Sequence, residues 1–280
     1  MSTVTLDSAA TDHVPATAFL TALARAQATA SPDTTLHDPF AARFAELCPA
    51  AVRDITRHTA GTTVVVARTV LIDRMLAELF TRERVDVCVN LGAGFDARPH
   101  RMDWPDGCRV IEVDSASVLD LKDRLLPSAD AAVPVERLVS DLRDADQLAR
   151  LLLPRTAGRR CVVLAEGLLT YLPPTAVRAL ASALGRLGTD TNWICDVVST
   201  DSARSLTQAS QAAGTPLEML GLTDLSVFEA ADWHCEQLEL LPTARLSPTS
   251  AGHRGAAASR LLPDSVLRLH RATAPGPHAS

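Results

Sequence analysis

The sequence predicts an α/β layered domain on a seven-stranded, mostly parallel sheet, with helices covering it from the N-terminal side. Three observations carry that prediction. Short apolar runs alternate with segments of helical period from about residue 82 to residue 200, the rhythm of βα units joined by right-handed crossovers. A two-glycine turn, Gly92-Ala93-Gly94, follows the first of those runs directly. Two later runs, "EQLELL" and "SVLRLHRA", read as closing antiparallel strands, so a seven-stranded sheet with a late hairpin fits better than a six-stranded one.

The elements follow in order. "ATAFLTALARAQATA" has apolar residues at helical spacing and is broken by Ser31-Pro32-Asp33. "DPFAARFAELC" starts a second helix, with Asp38 as N-cap and Pro39 at the tolerated first position. "VVVARTVLIDRMLAELF" is a longer amphipathic run ending in the charged link "TRER". Strands are expected at "VCVNL", "RVIEVD", "VERLVSD", "CVVLAEG" and "NWICDVVS", separated by helices at "SVLDLKDRLL", "ADQLARLLL" and "PPTAVRALASALGRL". A helical stretch is expected from Thr215 to Ala231, a flexible loop at "PTSAGHRGAAASR" and a disordered tail at "TAPGPHAS". The resulting organisation is a helical lid over residues 1–81 and a core over 82–272 with a cap insertion near 201–231. The tail occupies 273–280.

Composition narrows the classes of function. A chain of 280 residues, 47% hydrophobic and 21% charged, can bury a large core. The net charge of −6 argues against a broad nucleic-acid surface, and Lys122 is the single lysine. Six scattered cysteines with no C-x-x-C pair argue against a zinc site or a disulfide framework, and Cys88, Cys161 and Cys195 fall in apolar runs as core residues. No signal peptide and no membrane-spanning run is visible, so a cytoplasmic protein with a small-molecule partner is expected.

In an open parallel sheet, ligands bind beyond the carboxyl ends of the strands. Those ends carry, in order, Gly92 and Gly94, then Asp114, then Asp141, then Glu166 with Tyr171 five residues on. Gly92 to Ala97 fits the G-x-G-x-x-G/A turn of dinucleotide binding, and Asp114 fits a ribose acceptor. Any single acid here could instead cap a helix, Asp141 and Asp144 above all. A nicotinamide enzyme needs only the first two features. S-adenosylmethionine, with one ribose, one adenine and no phosphate, accounts for the whole set.

"RTVLIDRML", "VNLGAGFDARPHRM", "IEVDSASVLDLK", "SDLRD" and "AEGLLTYLP" resemble, in order and spacing, the leucine carboxyl methyltransferase family. The likeness covers roughly residues 22–198 and is nearest to the bacterial branch associated with polyketide carboxyl O-methylation. It implies a Rossmann-like class I methyltransferase fold with an N-terminal helical lid. By that resemblance Arg68 would hold the methionyl carboxylate, Gly92, Ala93 and Gly94 would line the cofactor, and Asp114 would take the ribose. Asp141 and Leu142 would take the adenine, Glu166 would meet the methionyl amino group or the pocket wall, and Tyr171 would orient substrate.

Asp96 and Arg98 are expected to brace the glycine turn. An ionised carboxylate acceptor needs no general base, only alignment and exclusion of water. A hydroxyl acceptor would need one; His100 is then the first candidate and His234 the second, and both also read as structural or solvent-facing. The acceptor would be a small acid or hydroxyl compound. A reaction such as cyclisation, with the cofactor as scaffold, and a nicotinamide-dependent reductase are the competing functions.

Overall fold

The computed structural model describes residues 14–50, 52–53, 61–188, 190–212, 217–242 and 262–272. The apolar runs become strands β1 (Val87–Leu91), β2 (Arg109–Asp114), β3 (Val135–Val139), β4 (Cys161–Ala165) and β5 (Asp190–Val197). Two more, β6 (His234–Leu240) and β7 (Ser265–Ala272), form the late hairpin. The sheet order is β3-β2-β1-β4-β5-β7-β6. β1 to β5 pair in parallel, β7 runs antiparallel to β5, and β6 antiparallel to β7. The sevenfold, mostly parallel sheet expected from the sequence is therefore present. β1 lies inside the sheet and is buried throughout, and the chain order reverses between it and β4, where a ligand crevice forms.

Alternation along the strands sorts side chains between two cores. Val87, Val89 and Leu91 face α6 (Ala145–Thr156) and α7 (Pro174–Leu184), whose Leu148, Leu152, Val177 and Leu180 are fully buried. Cys88 and Val110 face the opposite side and α3 (Gly61–Arg82). α3 presents Ile72, Met75, Leu76 and Leu79, a spacing that makes one apolar stripe. Each such side chain taken fully from water contributes about 1.5–3 kcal/mol before the entropy of ordering is subtracted.

The N-terminal helices α1 (Ala16–Thr29) and α2 (Ala41–Glu46) pack on the segment just after the glycine turn. Phe44 stacks on Phe95 at 4.3 Å and Phe19 meets the same ring edge-on at 5.2 Å. Arg25 donates to the Phe95 carbonyl and to Asp38, while Asp38 accepts the backbone N–H groups of Phe40 and Ala41. The helix begins at Ala41 with Phe40 at its N-cap position, so Asp38, expected as the N-cap, stands two residues earlier, where it holds the entry to α2 and ties it to α1. α4 (Arg98–Arg101) and α5 (Ala116–Leu125) follow β1 and β2.

One expectation fails. The stretch from Thr215 to Ala231 is not a continuous helix: α8 (Thr200–Ala212) ends before it, and its described part holds only the short α9 (Ser226–Glu229). Residues 217–222 instead cross the top of the sheet without helix, with Leu220 donating to Thr170 and Leu222 to Val198. Gly221 permits this crossing, since a Cβ there would lie 2.5 Å from the Ser199 backbone. Leu222, Leu225, Val227 and Phe228 pack into the core beside Trp193 and Trp233, so they are core residues. The stretch "PTSAGHRGAAASR" lies outside the described residues, as does the segment 273–280. Among the described residues, no helix is long and apolar enough to cross a membrane.

Candidate functional site

The carboxyl ends of β1, β2, β4 and β5 converge on the glycine turn. Gly92 and Gly94 have φ of +64° and +43°, and the Gly92 and Ala93 N–H groups donate to Val113 at the end of β2. A Cβ on Gly92 would meet Leu168 at 3.4 Å and Leu142 at 3.7 Å, so those two side chains flank the turn. The N–H of Gly94 donates to Asp114 Oδ2 at 2.8 Å and that of Ser115 to Oδ1 at 2.7 Å. Asp114 is half-buried. Each of its oxygens keeps acceptor capacity beyond its one backbone bond, as a pair of ribose hydroxyls requires.

Below the turn the expected Asp96–Arg98 brace is present. Asp96 accepts the Arg98 backbone N–H and Nη1, the latter at 2.8 Å, and also the Asn90 side chain. Burial opposes its charge, but Arg98, Lys122 and Arg101 outweigh burial and hold its carboxyl far below the ordinary range. Arg98 is almost fully buried and also pairs with Asp73 at 2.6 Å and Glu166 Oε2 at 2.7 Å.

On the β4–β5 side, Arg68 is a buried residue of α3, not a surface charge. Its Nε donates to Glu166 Oε1 at 3.2 Å and its Nη1 to Asp196 Oδ2 at 3.1 Å. Thr69, the next residue of the helix, donates its hydroxyl to the same Glu166 oxygen. Burial pushes the Glu166 carboxyl up, yet Arg98 and Arg68 pull it down to about 2. The guanidinium of Arg68 lies flat against Gly167, where a Cβ would come within 2.9 Å of Nη2. Tyr171, half-buried in the 3-10 turn Leu169–Tyr171, sits in the field of Arg68 and Asp196; burial raises its phenol pKa, with Arg68 acting in the opposite direction.

The remaining sequence candidates are placed differently. Asp141 is exposed and closes on Arg143, whose Nε and Nη2 reach its two oxygens at 2.9 and 2.7 Å. Those bonds hold its carboxyl at about 2. His100 Nε2 is bonded to the Pro127 carbonyl at 3.0 Å, with its ring tilted against Phe40. This ties it to the connection after α5. His234 is exposed on the edge strand β6, four strand positions from β1, or about 19 Å.

Sequence reasoning missed three members. Asp196 is the penultimate residue of β5 and Glu166 the first after β4, and Asp196 accepts the Gly167 N–H as well as Arg68. The signal was the same acid-after-apolar-run pattern, continued by one strand. Thr69 and Asp73 face the site from α3, with Asp73 bridging Arg98 and Arg101. Their residue types gave no signal.

This geometry has known counterparts. A sequence profile described as leucine carboxyl methyltransferase matches residues 18–185. A protein of Mycobacterium avium, provisionally named an S-adenosyl-L-methionine-dependent methyltransferase, is 33% identical over 249 residues, covering 75% of this chain and 77% of that protein. A similarly named protein of Frankia alni is 35% identical over 184 residues, covering 61% and 64%. Among solved structures, a provisionally named methyltransferase from Thermobifida fusca superposes with a TM-score of 0.64 at 15% identity, over 97% of this chain and all of that one. Magnesium protoporphyrin IX methyltransferase from Synechocystis, solved with SAH bound, gives 0.51 at 13% identity, over 76% and 88%. The fold is the Rossmann-like class I methyltransferase fold, and the chain belongs to the leucine carboxyl methyltransferase family.

Proposed function

We propose that the protein is an S-adenosylmethionine-dependent O-methyltransferase acting on the carboxylate of a small natural-product acid of polyketide type. The observation that carries this reading is the joining of three features at one end of the sheet. These are the Gly92–Gly94 turn, a half-buried Asp114 with acceptor capacity to spare, and a buried Arg68 set between two carboxylates.

The residues fit the cofactor part by part. Gly92, Ala93 and Gly94 line it with backbone, and Asp114 accepts the ribose hydroxyls. Asp141 and Leu142 border the adenine, with Asp141 sharing its charge with Arg143. Arg68 gives Nε to Glu166 and Nη1 to Asp196, which leaves Nη2 for the methionyl carboxylate. Glu166 Oε2, bonded to Arg98, keeps one acceptor site for the methionyl amino group. When bound, the sulfonium supplies an activated methyl group for in-line displacement.

What this chain must add is alignment and dryness. Tyr171 has a pKa raised by burial, so at neutral pH it is a phenol that donates a hydrogen bond and orients the acceptor. The helices α1 and α2, fixed over Phe95, form the lid on the N-terminal side.

The test is incubation with methyl-labelled S-adenosylmethionine and a panel of carboxylic acids and their hydroxylated analogues. Label in a base-labile methyl ester is expected. Transfer to hydroxyl oxygen alone overturns the carboxylate assignment, and transfer to no acceptor despite cofactor binding overturns the methyl-transfer reading.

A further inference from the structure

The chain has 27 lysine and arginine residues, and Lys122 is the single lysine among them. It lies fully buried on α5, where a charge taken from water is costly unless it is bonded. Its ammonium donates to Glu112 Oε1 at 2.6 Å and to the Ala93 carbonyl at 3.4 Å. The first contact alone does not account for the residue. Glu112 is equally buried, but Arg137 already donates to its other oxygen at 2.9 Å. The second contact falls on the glycine turn.

The Ala93 carbonyl and the Gly94 N–H belong to one planar peptide unit. Lys122 donates to its carbonyl end, and Asp114 accepts from its N–H end at 2.8 Å. One backbone bond, from the Asp96 N–H at 2.9 Å, reaches the same carbonyl. Gly94 has φ of +43°, and with no Cβ its peptide can rotate at little steric cost. Rotated, the carbonyl would face the Asp114 carboxylate. A positive charge beside the carbonyl opposes that rotation, and it polarises the amide, which strengthens the bond from Gly94 to Asp114. Burial opposes the charge of Asp96 in the same turn, and Arg98 and then Lys122 outweigh it. A guanidinium would be larger by a planar fork, which fits the use of lysine here in a chain that otherwise uses arginine.

We propose that Lys122 is the positioning residue of the glycine turn, fixing the Ala93–Gly94 peptide so that Asp114 is presented to the ribose. Lys122 acts through the turn and touches no ligand itself. The inference rests on the cofactor reading above.

The single lysine makes the test direct. In the full chain isotopically labelled at the lysine side-chain nitrogen, one ammonium resonance is expected, and it should shift in step with S-adenosylhomocysteine occupancy. A resonance unmoved at saturation overturns the proposal. In Lys122→Met, calorimetric titration should show S-adenosylhomocysteine binding weakened at least about tenfold, with stability lowered because Glu112 loses one partner. The double variant Lys122→Met with Glu112→Gln removes that carboxylate charge. It is expected to regain most of the lost stability to urea while affinity stays down, with the Gly94 amide of the free protein still exchanging faster than in the parent. Affinity restored along with stability, or unchanged in Lys122→Met, makes Lys122 a partner of Glu112 only and overturns the proposal. Failure of the parent chain to bind S-adenosylhomocysteine overturns the cofactor reading instead.

Discussion

The two sides of the glycine turn are built in opposite ways. Toward β4 and β5, Arg68, Arg98 and Asp196 are buried, and they lock together with Glu166 through charge-assisted contacts between 2.7 and 3.2 Å. Toward β2 and β3, Asp114 is half-buried, Asp141 is exposed, and Val139 stands 58% exposed at the strand end. The first side is fixed by folding alone. The second is left open for a ligand to complete. Such a division suits methyl transfer, where the reacting end must be held rigid before substrate arrives and the adenosyl end need only recognise.

The comparison breaks hardest at Arg98. Arg98→Met leaves Asp73, Asp96 and Glu166 each short of a partner, and a loss of about 3–5 kcal/mol in urea unfolding is expected, with cofactor affinity lost as well. A loss below about 1 kcal/mol would show that the buried side is not held as described.

Acid should reveal the same side. The folded Glu166 carboxyl lies at about 2 against an ordinary value of 4.5, so its contribution is complete above 4.5 and fades as pH falls toward 2. In Glu166→Gln the fall in stability between pH 4.5 and 2 should be shallower than in the parent, as read by the urea midpoint at each pH. An identical slope would remove Glu166 from the linkage.

On the open side the order of effects reverses. Asp114→Ala should weaken S-adenosylhomocysteine binding at least tenfold, about 1.4 kcal/mol, and lower stability by less than that. Unchanged affinity would take Asp114 off the ribose. The smallest effect is expected at Asp141→Ala: a several-fold loss of binding with no shift in the unfolding midpoint, because its ion pair with Arg143 is exposed.

The same contrast explains what was legible in the sequence. Strands β1, β2, β4 and β5 stood out because buried parallel strands need largely apolar runs, and the turn stood out because only glycine adopts its backbone cheaply. The Asp96–Arg98 pair was visible because its members are two residues apart. The pairing of Asp196 with Arg68 was hidden because the two lie 128 residues apart. The conformation of residues 217–222 was hidden because it depends on Gly221 meeting the Ser199 backbone, a contact no local pattern encodes. Long-range ion pairs and close backbone approaches are tertiary facts, and the buried side of this site is made of them.

Hydrogen exchange on the full chain, with and without S-adenosylhomocysteine, tests the central claim most directly. Protection should rise over residues 92–96, 114–119 and 139–144, with little change over 166–172, which is already fixed. Equal protection by NAD, or a change confined to residues 166–172, would contradict the account.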